Sequence, residues 1–272
     1  MRAMMWFTRD LRLDDQPALR LAGEADMLMC VFVVDPTWFR QTKWQSRPMG
    51  GHRWRFLWQS LHELDKGLRD YGQRLHIAWG DPAAVVTALA RRHGIHHVFV
   101  SNQPGTEEEG ERETVRHNLT DTAQLHNMAT LSAFHQADLP FPLNDLPDTF
   151  SQFRKQVESA ELSPRAPAEA PGSLPPAPGL AEDQRGDLPE TDRKASPLFS
   201  GGEKPALDRL DHYFFKSHCI ATYKKTRNAL DETDASSRLS PWLANGTLSV
   251  RRVAQKLRQY EDDHQQNEST YW

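Results

Sequence analysis

The chain lacks the features that mark a secreted or membrane-spanning protein. Its 272 residues include only two cysteines, Cys30 and Cys219, which excludes a disulfide framework and a cysteine-built zinc site. No run of 18 uncharged apolar residues occurs, so the sequence predicts no membrane-spanning helix. The first residues also lack the apolar segment of a secretory signal. We therefore expect a cytoplasmic protein without a membrane partner.

Familiar phosphate-binding and metal-binding patterns are missing as well. The sequence contains no Gly-x-Gly-x-x-Gly and no P-loop, so a classical dinucleotide site is unsupported. Three histidines, His93, His96 and His97, lie close together in the sequence. They fall across the end of one predicted helix and the start of a strand, so their side chains need not converge. This pattern favours a polar turn over a metal site, and we expect no metal.

The first 135 residues alternate between strand and helix patterns. Short apolar runs at residues 4–7, 27–34, 75–79 and 97–100 are typical of parallel strands that are covered on both faces. Between them, an apolar stripe from Trp54 to Leu68 predicts a long helix, and Asp81-Pro82 predicts the start of another. A third helix, with an acidic first turn, is predicted from Glu107. The pattern predicts an α/β, Rossmann-like domain with a parallel sheet.

Prolines divide the chain after this first part. Seven prolines lie between residues 161 and 189, a composition that favours an extended connector. From Pro205 the apolar spacing is helical, and Ser249 is placed to cap a last helix. We therefore expect an α/β domain over residues 1–135, a linker over 136–200, and an all-helical part over 201–272.

The helical part carries the best candidate for a ligand site. Residues 201–258 hold eleven Lys/Arg and six Asp/Glu in a chain whose net charge is −4, which favours an anionic partner. Within it, Ser236, Ser237 and Arg238 precede a Ser240-Pro241 helix start. Hydroxyls, free backbone N–H groups and an arginine at a helix start suit a phosphate, although a solvated helix cap has the same composition. Tyr223 could close over a ring system or belong to the core.

Several short motifs, taken in order, resemble those of the photolyase/cryptochrome family, and of its DASH-type cryptochromes in particular. Each motif is modest by itself, but their order along the chain is highly specific. The motifs are MWFTRDLRLDDQPAL at residues 5–19, GGHR at 50–53, GDP at 80–82, TFSQFRK at 149–155, GGE at 201–203, YKKTRN at 223–228, SPWLA at 240–244 and STYW at 269–272.

The resemblance implies an antenna domain followed by a helical domain that holds FAD. In the family, the flavin phosphates lie on the segment that matches residues 236–240, and an aromatic residue matches Tyr223. It also implies a 5,10-methenyltetrahydrofolate antenna at an acidic helix start, for which Glu107 is the candidate, and a contact of Arg227 with DNA phosphate. Arg227 could equally be a solvated charge. The implied cofactor residues are Tyr223, Ser236, Ser237, Arg238, Leu239, Ser240 and Glu107.

The activity implied by the resemblance is light-driven DNA repair. Electron transfer from reduced FAD would split cyclobutane pyrimidine dimers in single-stranded DNA, and we expect a monomer. The alternatives are a blue-light photoreceptor without repair activity and an inactive fragment. Family members continue through a long helical region, whereas 72 residues from Gly201 are too few to enclose a flavin. The sequence is therefore interpreted as a truncated member that is inactive alone.

Overall fold

A five-stranded parallel sheet forms the centre of the first half of the protein. The computed structural model describes residues 1–179, 199–229 and 232–264. The strand order is β3-β2-β1-β4-β5, and every neighbouring pair is parallel. The strands are β1 (Arg2–Phe7), β2 (Met27–Val34), β3 (Leu75–Trp79), β4 (His97–Ser101) and β5 (Gln124–Met128).

Helices cover both faces of this sheet, as the continuous apolar runs predict. Alternation along β1 sends Met5 and Phe7 into one core cluster and Met4 and Trp6 into the other. The first cluster is completed by α2 and the second by α3 and α4. The helices of this half are α1 (Pro17–Ala22), α2 (Gly51–Asp70), α3 (Pro82–His93), α4 (Thr106–Asn118) and α5 (Phe150–Ser159). The predicted α/β fold with a parallel sheet is confirmed.

Local signals set the ends of α3. The Asp81 carboxylate accepts a hydrogen bond from the Ala84 N–H at 2.8 Å, and Pro82 follows it at the first helical position. Gly94 ends the helix in a left-handed conformation, with φ of 59°, that glycine adopts without steric cost. The start at Asp81-Pro82 agrees with the sequence prediction.

Three elements were not anticipated from the sequence: α1, β5 and α5. The predicted linker contains α5, and part of it lies on the sheet half, where the Leu28 N–H donates to the Pro176 carbonyl at 3.1 Å. Residues 180–198 of the predicted linker lie outside the described residues.

The helical half has its own small core. Tyr213, Phe214, Trp242 and Tyr260 are its largest buried side chains, and the Ser249 hydroxyl accepts hydrogen bonds from the first turn of the last helix. Its helices are α6 (Glu203–Asp211), α7 (Tyr223–Thr226), α8 (Ser240–Asn245) and α9 (Val250–Asp263), with a π-helical turn at His212–Lys216. None of the helices in the described ranges is both long and apolar enough to cross a bilayer.

Polar contacts hold the helical half against the carboxyl edge of the sheet. Arg12, which follows β1, is only 1% exposed and donates to the Gly246 carbonyl at 3.0 Å. Because a buried guanidinium needs acceptors on all sides, this side chain fixes both halves at one point. Two ion pairs also join the sheet half to the helical half, Asp14 with Arg252 and Asp15 with Arg251.

Glu203, at the start of α6, makes this boundary sensitive to pH. Its carboxylate accepts the N–H groups of Leu13 and Asp14, both at 2.8 Å. Burial raises the pKa of Glu203 to about 7, and the nearby carboxylates of Asp14 and Glu63 add to that rise. Between the ordinary value near 4.5 and 7, the folded state therefore holds a proton that the unfolded state has lost.

We expect Glu203 to lower the free energy of unfolding as the pH rises from 5 to 8. The Glu203→Gln variant should lose this part of the pH dependence, which urea unfolding at pH 5, 6, 7 and 8 would measure. Glu109→Gln removes an exposed carboxyl on α4 and should leave the dependence unchanged. Equal slopes for Glu203→Gln and the unmodified chain would contradict the assignment.

Candidate functional site

One arginine organises the loop that precedes α8. The Arg209 side chain on α6 is 10% exposed and reaches over the loop of residues 232–239. Its Nε donates to the Ser237 carbonyl at 2.9 Å, and its Nη2 donates to the Ser236 carbonyl at 3.0 Å. The guanidinium also lies 5.4 Å from the ring centroid of Tyr213. Arg209 therefore fixes the backbone of the two serines that the sequence singles out.

Asp234 completes this clamp on the loop. One of its carboxylate oxygens lies 2.6 Å from Arg209 Nη1, and the other lies 3.1 Å from His212 Nε2. The hydrogen bond from Arg209, followed by that from His212, lowers the pKa of Asp234 below its ordinary value. The carboxylate thus stays ionised near neutral pH and keeps both partners in place.

The clamped loop presents a set of hydrogen-bond donors without partners among the described residues. Within the described ranges, neither the backbone N–H groups nor the hydroxyls of Ser236, Ser237 and Ser240 make a hydrogen bond. All three residues are at least partly exposed. Six small donors held by a rigid backbone form an arrangement that suits a phosphate or another anion. Leu239, between them, is buried and anchors the loop in the helical core.

Arg238 has a different geometry from the one that its sequence position suggests. Its backbone has a φ of 52°, in the left-handed region. Its guanidinium turns back onto the loop and donates to the carbonyls of Thr233, at 3.1 Å, and Glu232, at 2.9 Å. The positive charge therefore lies on the loop itself and reinforces its shape.

Helix α7, which carries Tyr223, contacts this loop. Tyr223 is half-buried on α7, and the Thr226 hydroxyl of the same helix donates to the Ala235 carbonyl at 2.8 Å. Arg227 follows α7 and is exposed, next to the exposed Lys224 and Lys225. The helix that carries Tyr223, and after which Arg227 follows, is thus joined to the loop of Ser236 and Ser237 through Thr226.

Glu107 lies elsewhere, in the first turn of α4 on the sheet half, and it is exposed. Its neighbour Glu108 pairs with Arg9 at 2.7 Å. Arg9 in turn lines a cavity of about 510 Å³ at the boundary between the halves. The cavity is bordered by Arg9, Met49, His52, Arg53, Phe56 and Asn245, among others. The acidic start of α4 is therefore linked to this cavity by the ion pair between Glu108 and Arg9.

The three clustered histidines do not share a centre. His96 Nδ1 accepts the Arg2 N–H at 3.1 Å, while His97 Nδ1 lies 2.9 Å from Nε2 of His126 on β5. His93 is at the end of α3. Across the part of the chain that the structure describes, no group of three or more His, Cys, Asp or Glu side chains could hold a metal ion.

Sequence reasoning missed the clamp residues Arg209, His212 and Asp234. Arg209 belongs to a helix whose only visible signal is its apolar stripe, and its loop partners lie 24 to 28 residues away. No local pattern predicts such a contact. The only hint in the sequence was that charged residues stand at partly buried positions of the apolar stripe.

The protein consists of two parts, an α/β part and a helical part. The carboxyl edge of the parallel sheet contacts the helical part, which carries a loop suited to bind an anion. The family model described as DNA photolyase matches residues 3–172. The chain belongs to the DNA photolyase family.

Its relatives identify the branch of the family that it resembles. It is 37% identical to the cryptochrome DASH of Natronomonas pharaonis over 99% of this chain and 59% of that protein, and 38% identical to that of Idiomarina loihiensis over 98% and 59%. The solved structure of Synechocystis sp. PCC6803 cryptochrome matches with a TM-score of 0.92 and 32% identity, over 100% of this chain and 58% of that one. The DASH-type resemblance is confirmed, and the chain spans somewhat more than half the length of these relatives.

Proposed function

We propose that this chain supplies the antenna domain and the first part of the FAD-binding domain of a DASH-type flavoprotein. Residues 1–135 would form the antenna domain, 136–200 the connection and 201–272 the flavin-binding part. The observation that carries the proposal is a set of donors on Ser236, Ser237 and Ser240 that make no hydrogen bond to any residue that the structure describes. Membership in the DNA photolyase family implies FAD as the molecule that these donors would hold.

The residues present fit the phosphate part of FAD. Ser236, Ser237 and Ser240 would donate to the phosphate oxygens, because their N–H groups and hydroxyls are otherwise unused within the described ranges. Arg238 would add positive charge from the loop, and Leu239 would hold the backbone in register. Tyr223, half-buried beside the loop, would cover the cofactor on one side.

When bound and reduced, FAD would supply the excited-state electron that splits a cyclobutane pyrimidine dimer in DNA. This chain's own contribution would be to hold the cofactor and to attract the DNA. Arg227 and its exposed lysine neighbours would contact DNA phosphates, and such contacts are independent of sequence and weaken with salt. Single-stranded DNA would be the preferred substrate, because turning a base outwards costs less there.

An absorption spectrum of the chain after FAD addition and desalting tests the cofactor assignment. If the chain retains flavin, Arg238→Ala should weaken FAD binding about tenfold, since it removes a charged donor that shapes the loop. Arg258→Ala, which removes an exposed arginine on α9, is the matched control and should bind FAD normally. Unchanged flavin retention in Arg238→Ala would refute the assignment of the loop.

Repair is tested by illuminating a single-stranded oligonucleotide that contains one cyclobutane dimer. Loss of the dimer under blue light, and not in darkness, would support repair by the FAD-loaded protein. Binding of the oligonucleotide without loss of the dimer would favour the photoreceptor alternative. A chain that retains no flavin would support the third interpretation, an inactive fragment.

The cavity next to Arg9 is our proposed site for the folate antenna. Its support is the volume of about 510 Å³ and a lining that includes Arg9, His52 and Arg53, which suits the carboxylates of a folate. Glu107, the residue implied by the resemblance, would act at the rim together with Glu108. Equilibrium dialysis of 5,10-methenyltetrahydrofolate against the chain and against Arg53→Gln would test it, and equal binding would contradict it.

A further inference from the structure

A long basic segment of the sheet half has no role in the proposed flavin site. Residues 36–62 contain five Lys/Arg and no Asp or Glu, in a chain whose net charge is −4. Three of these cations fall within ten residues of each other, on the connection between β2 and α2: Arg40, Lys43 and Arg47. We call residues 40–49 the Trp44 loop.

Trp44 is the most exposed large apolar side chain in the described ranges, at 77%. It is also the only large apolar residue between residues 40 and 48. The exposed ring makes no packing contribution to the core, and it offers a large aromatic surface to a ligand.

The loop that presents Trp44 is ordered by its own hydrogen bonds. The Thr42 N–H donates to the Ser46 carbonyl at 2.8 Å, and the Gln45 N–H donates to the Thr42 carbonyl at 2.9 Å. The Trp44 N–H donates to the Thr42 hydroxyl at 3.2 Å, and this hydroxyl also lies 3.0 Å from the Ser46 hydroxyl. Because the backbone is already fixed, little conformational entropy would be lost when the ring meets a ligand.

The loop is anchored to the sheet half at its far end. The Met49 N–H donates to the Trp38 carbonyl at 2.9 Å, and Arg53 Nη1 donates to the Pro48 carbonyl at 2.8 Å. The exposed ring is therefore held at a defined position relative to the start of α2.

The cations of the loop are available to a ligand. Arg40, Lys43 and Arg47 are exposed, and none of them forms an ion pair with another described residue. Lys43 Nζ lies over one face of the Trp44 ring, 5.0 Å from its centroid, so the opposite face is the one that a ligand would meet. An open aromatic face surrounded by unpaired cations is the combination that binds a base by stacking and its neighbouring phosphates by charge.

We propose that the Trp44 loop is a contact site for single-stranded nucleic acid, with one base stacked on Trp44 and the flanking phosphates next to Arg40, Lys43 and Arg47. A bilayer is disfavoured because the residues around Trp44 are polar and would leave a single side chain as the anchor. Duplex nucleic acid is disfavoured because its bases are already stacked on one another. The site lies on the sheet half and does not depend on the flavin assignment.

The test is binding of a fluorescently labelled oligo(dT) of 20 nucleotides to the complete 272-residue chain, followed by anisotropy. We expect Trp44→Ala to weaken binding about tenfold, and Trp44→Phe to retain most of it because a ring remains. Phe150→Ala is the matched control, since Phe150 is 74% exposed and lies outside the loop. It should bind like the unmodified chain.

The salt dependence tests the cations separately. The triple variant Arg40→Gln/Lys43→Gln/Arg47→Gln should reduce the slope of log K against log salt by about 2, because three phosphate contacts on a single strand are lost. A control triple with the same change in net charge replaces exposed cations elsewhere on the sheet half: Arg20, Lys66 and Arg92. Its slope should stay close to that of the unmodified chain.

Three results would overturn the proposal. They are no binding of the oligonucleotide at low salt, equal affinities for Trp44→Ala and Phe150→Ala, or Trp44-dependent binding to anionic vesicles without binding to the oligonucleotide. FAD retention, measured on the same samples, should be unaffected by every variant of the loop. The flavin assignment, tested by Arg238→Ala, and the nucleic-acid proposal, tested by Trp44→Ala, can therefore fail separately.

Discussion

Replacing Gly246 by alanine should detach the end of α8 from the sheet half and destabilise the fold by about 3 kcal/mol or more. Gly246 has a φ of 64°, where a side chain costs about 1–2 kcal/mol. A Cβ at this position would also lie 1.8 Å from the Arg9 carbonyl oxygen and 2.7 Å from the Asp10 Cα. Backbone atoms cannot turn aside as a flexible side chain can, so the two halves must separate locally.

The loss should be visible at specific contacts across the boundary. The Leu11 N–H donates to the Asn245 carbonyl, and Arg12 donates to the Gly246 carbonyl itself. Urea unfolding would measure the stability, and hydrogen exchange at the Leu11 amide would report the boundary. Gly110→Ala on α4 is the control, because nothing lies within 4 Å of its added Cβ, and it should be neutral or stabilising. Equal stabilities of the two variants would contradict the prediction.

The sheet half could be predicted from the sequence because its signals are local. A strand that is covered on both faces must be apolar throughout, and residues 27–34 and 75–79 match β2 and β3 at both ends. Strand β5 was missed for the same physical reason, since an edge strand with the sequence QLHNM is half-exposed and has no apolar run. Helix α1 has only six residues, too few to show a period of 3.6.

The candidate site could be predicted only where its functional residues are neighbours in the sequence. Ser236, Ser237 and Ser240 stand together before a Ser-Pro helix start, so the donor set is visible in the sequence. The contacts that hold this donor set are not visible in the sequence, because Arg209 donates to backbone carbonyls, which every residue has. The orientation of Arg238 was invisible for the same reason, since its two acceptors are also backbone carbonyls.

The boundary between the halves shows how the fold serves the site. Glu203 caps the N–H groups that follow β1 and also begins α6, the helix that carries Arg209. The sheet half therefore positions α6, and α6 positions the loop through Arg209. It follows that substitutions at Gly246 and at Arg209 should differ in their effects: the first acts on the joint of the two halves, and the second on the loop alone.

Replacing Arg209 by methionine should weaken FAD binding by about 30-fold while lowering overall stability by only about 1–2 kcal/mol. Methionine keeps an unbranched apolar stem, but it lacks the guanidinium that lies over the Tyr213 ring and it donates to none of the loop carbonyls. The carbonyls of Ser236 and Ser237 then lose their charged donor, and Asp234 loses its main partner. The hydrogen-bond donors of the serines would then no longer be held in one arrangement. FAD binding would have to order them, and the entropy cost of that ordering would weaken the affinity.

Two matched variants separate this mechanism from a general loss of charge. Lys204→Met removes an exposed pair with Asp208 on the same helix, which contributes little, and should leave FAD binding unchanged. Arg209→Lys keeps the charge but cannot reach several carbonyls at once, and should bind FAD with intermediate affinity. Hydrogen exchange at the Ala235 amide, which donates to the Glu232 carbonyl at 3.3 Å in the same loop, should accelerate in Arg209→Met even without flavin. If exchange and FAD affinity in Arg209→Met both match those of Lys204→Met, Arg209 does not organise the site.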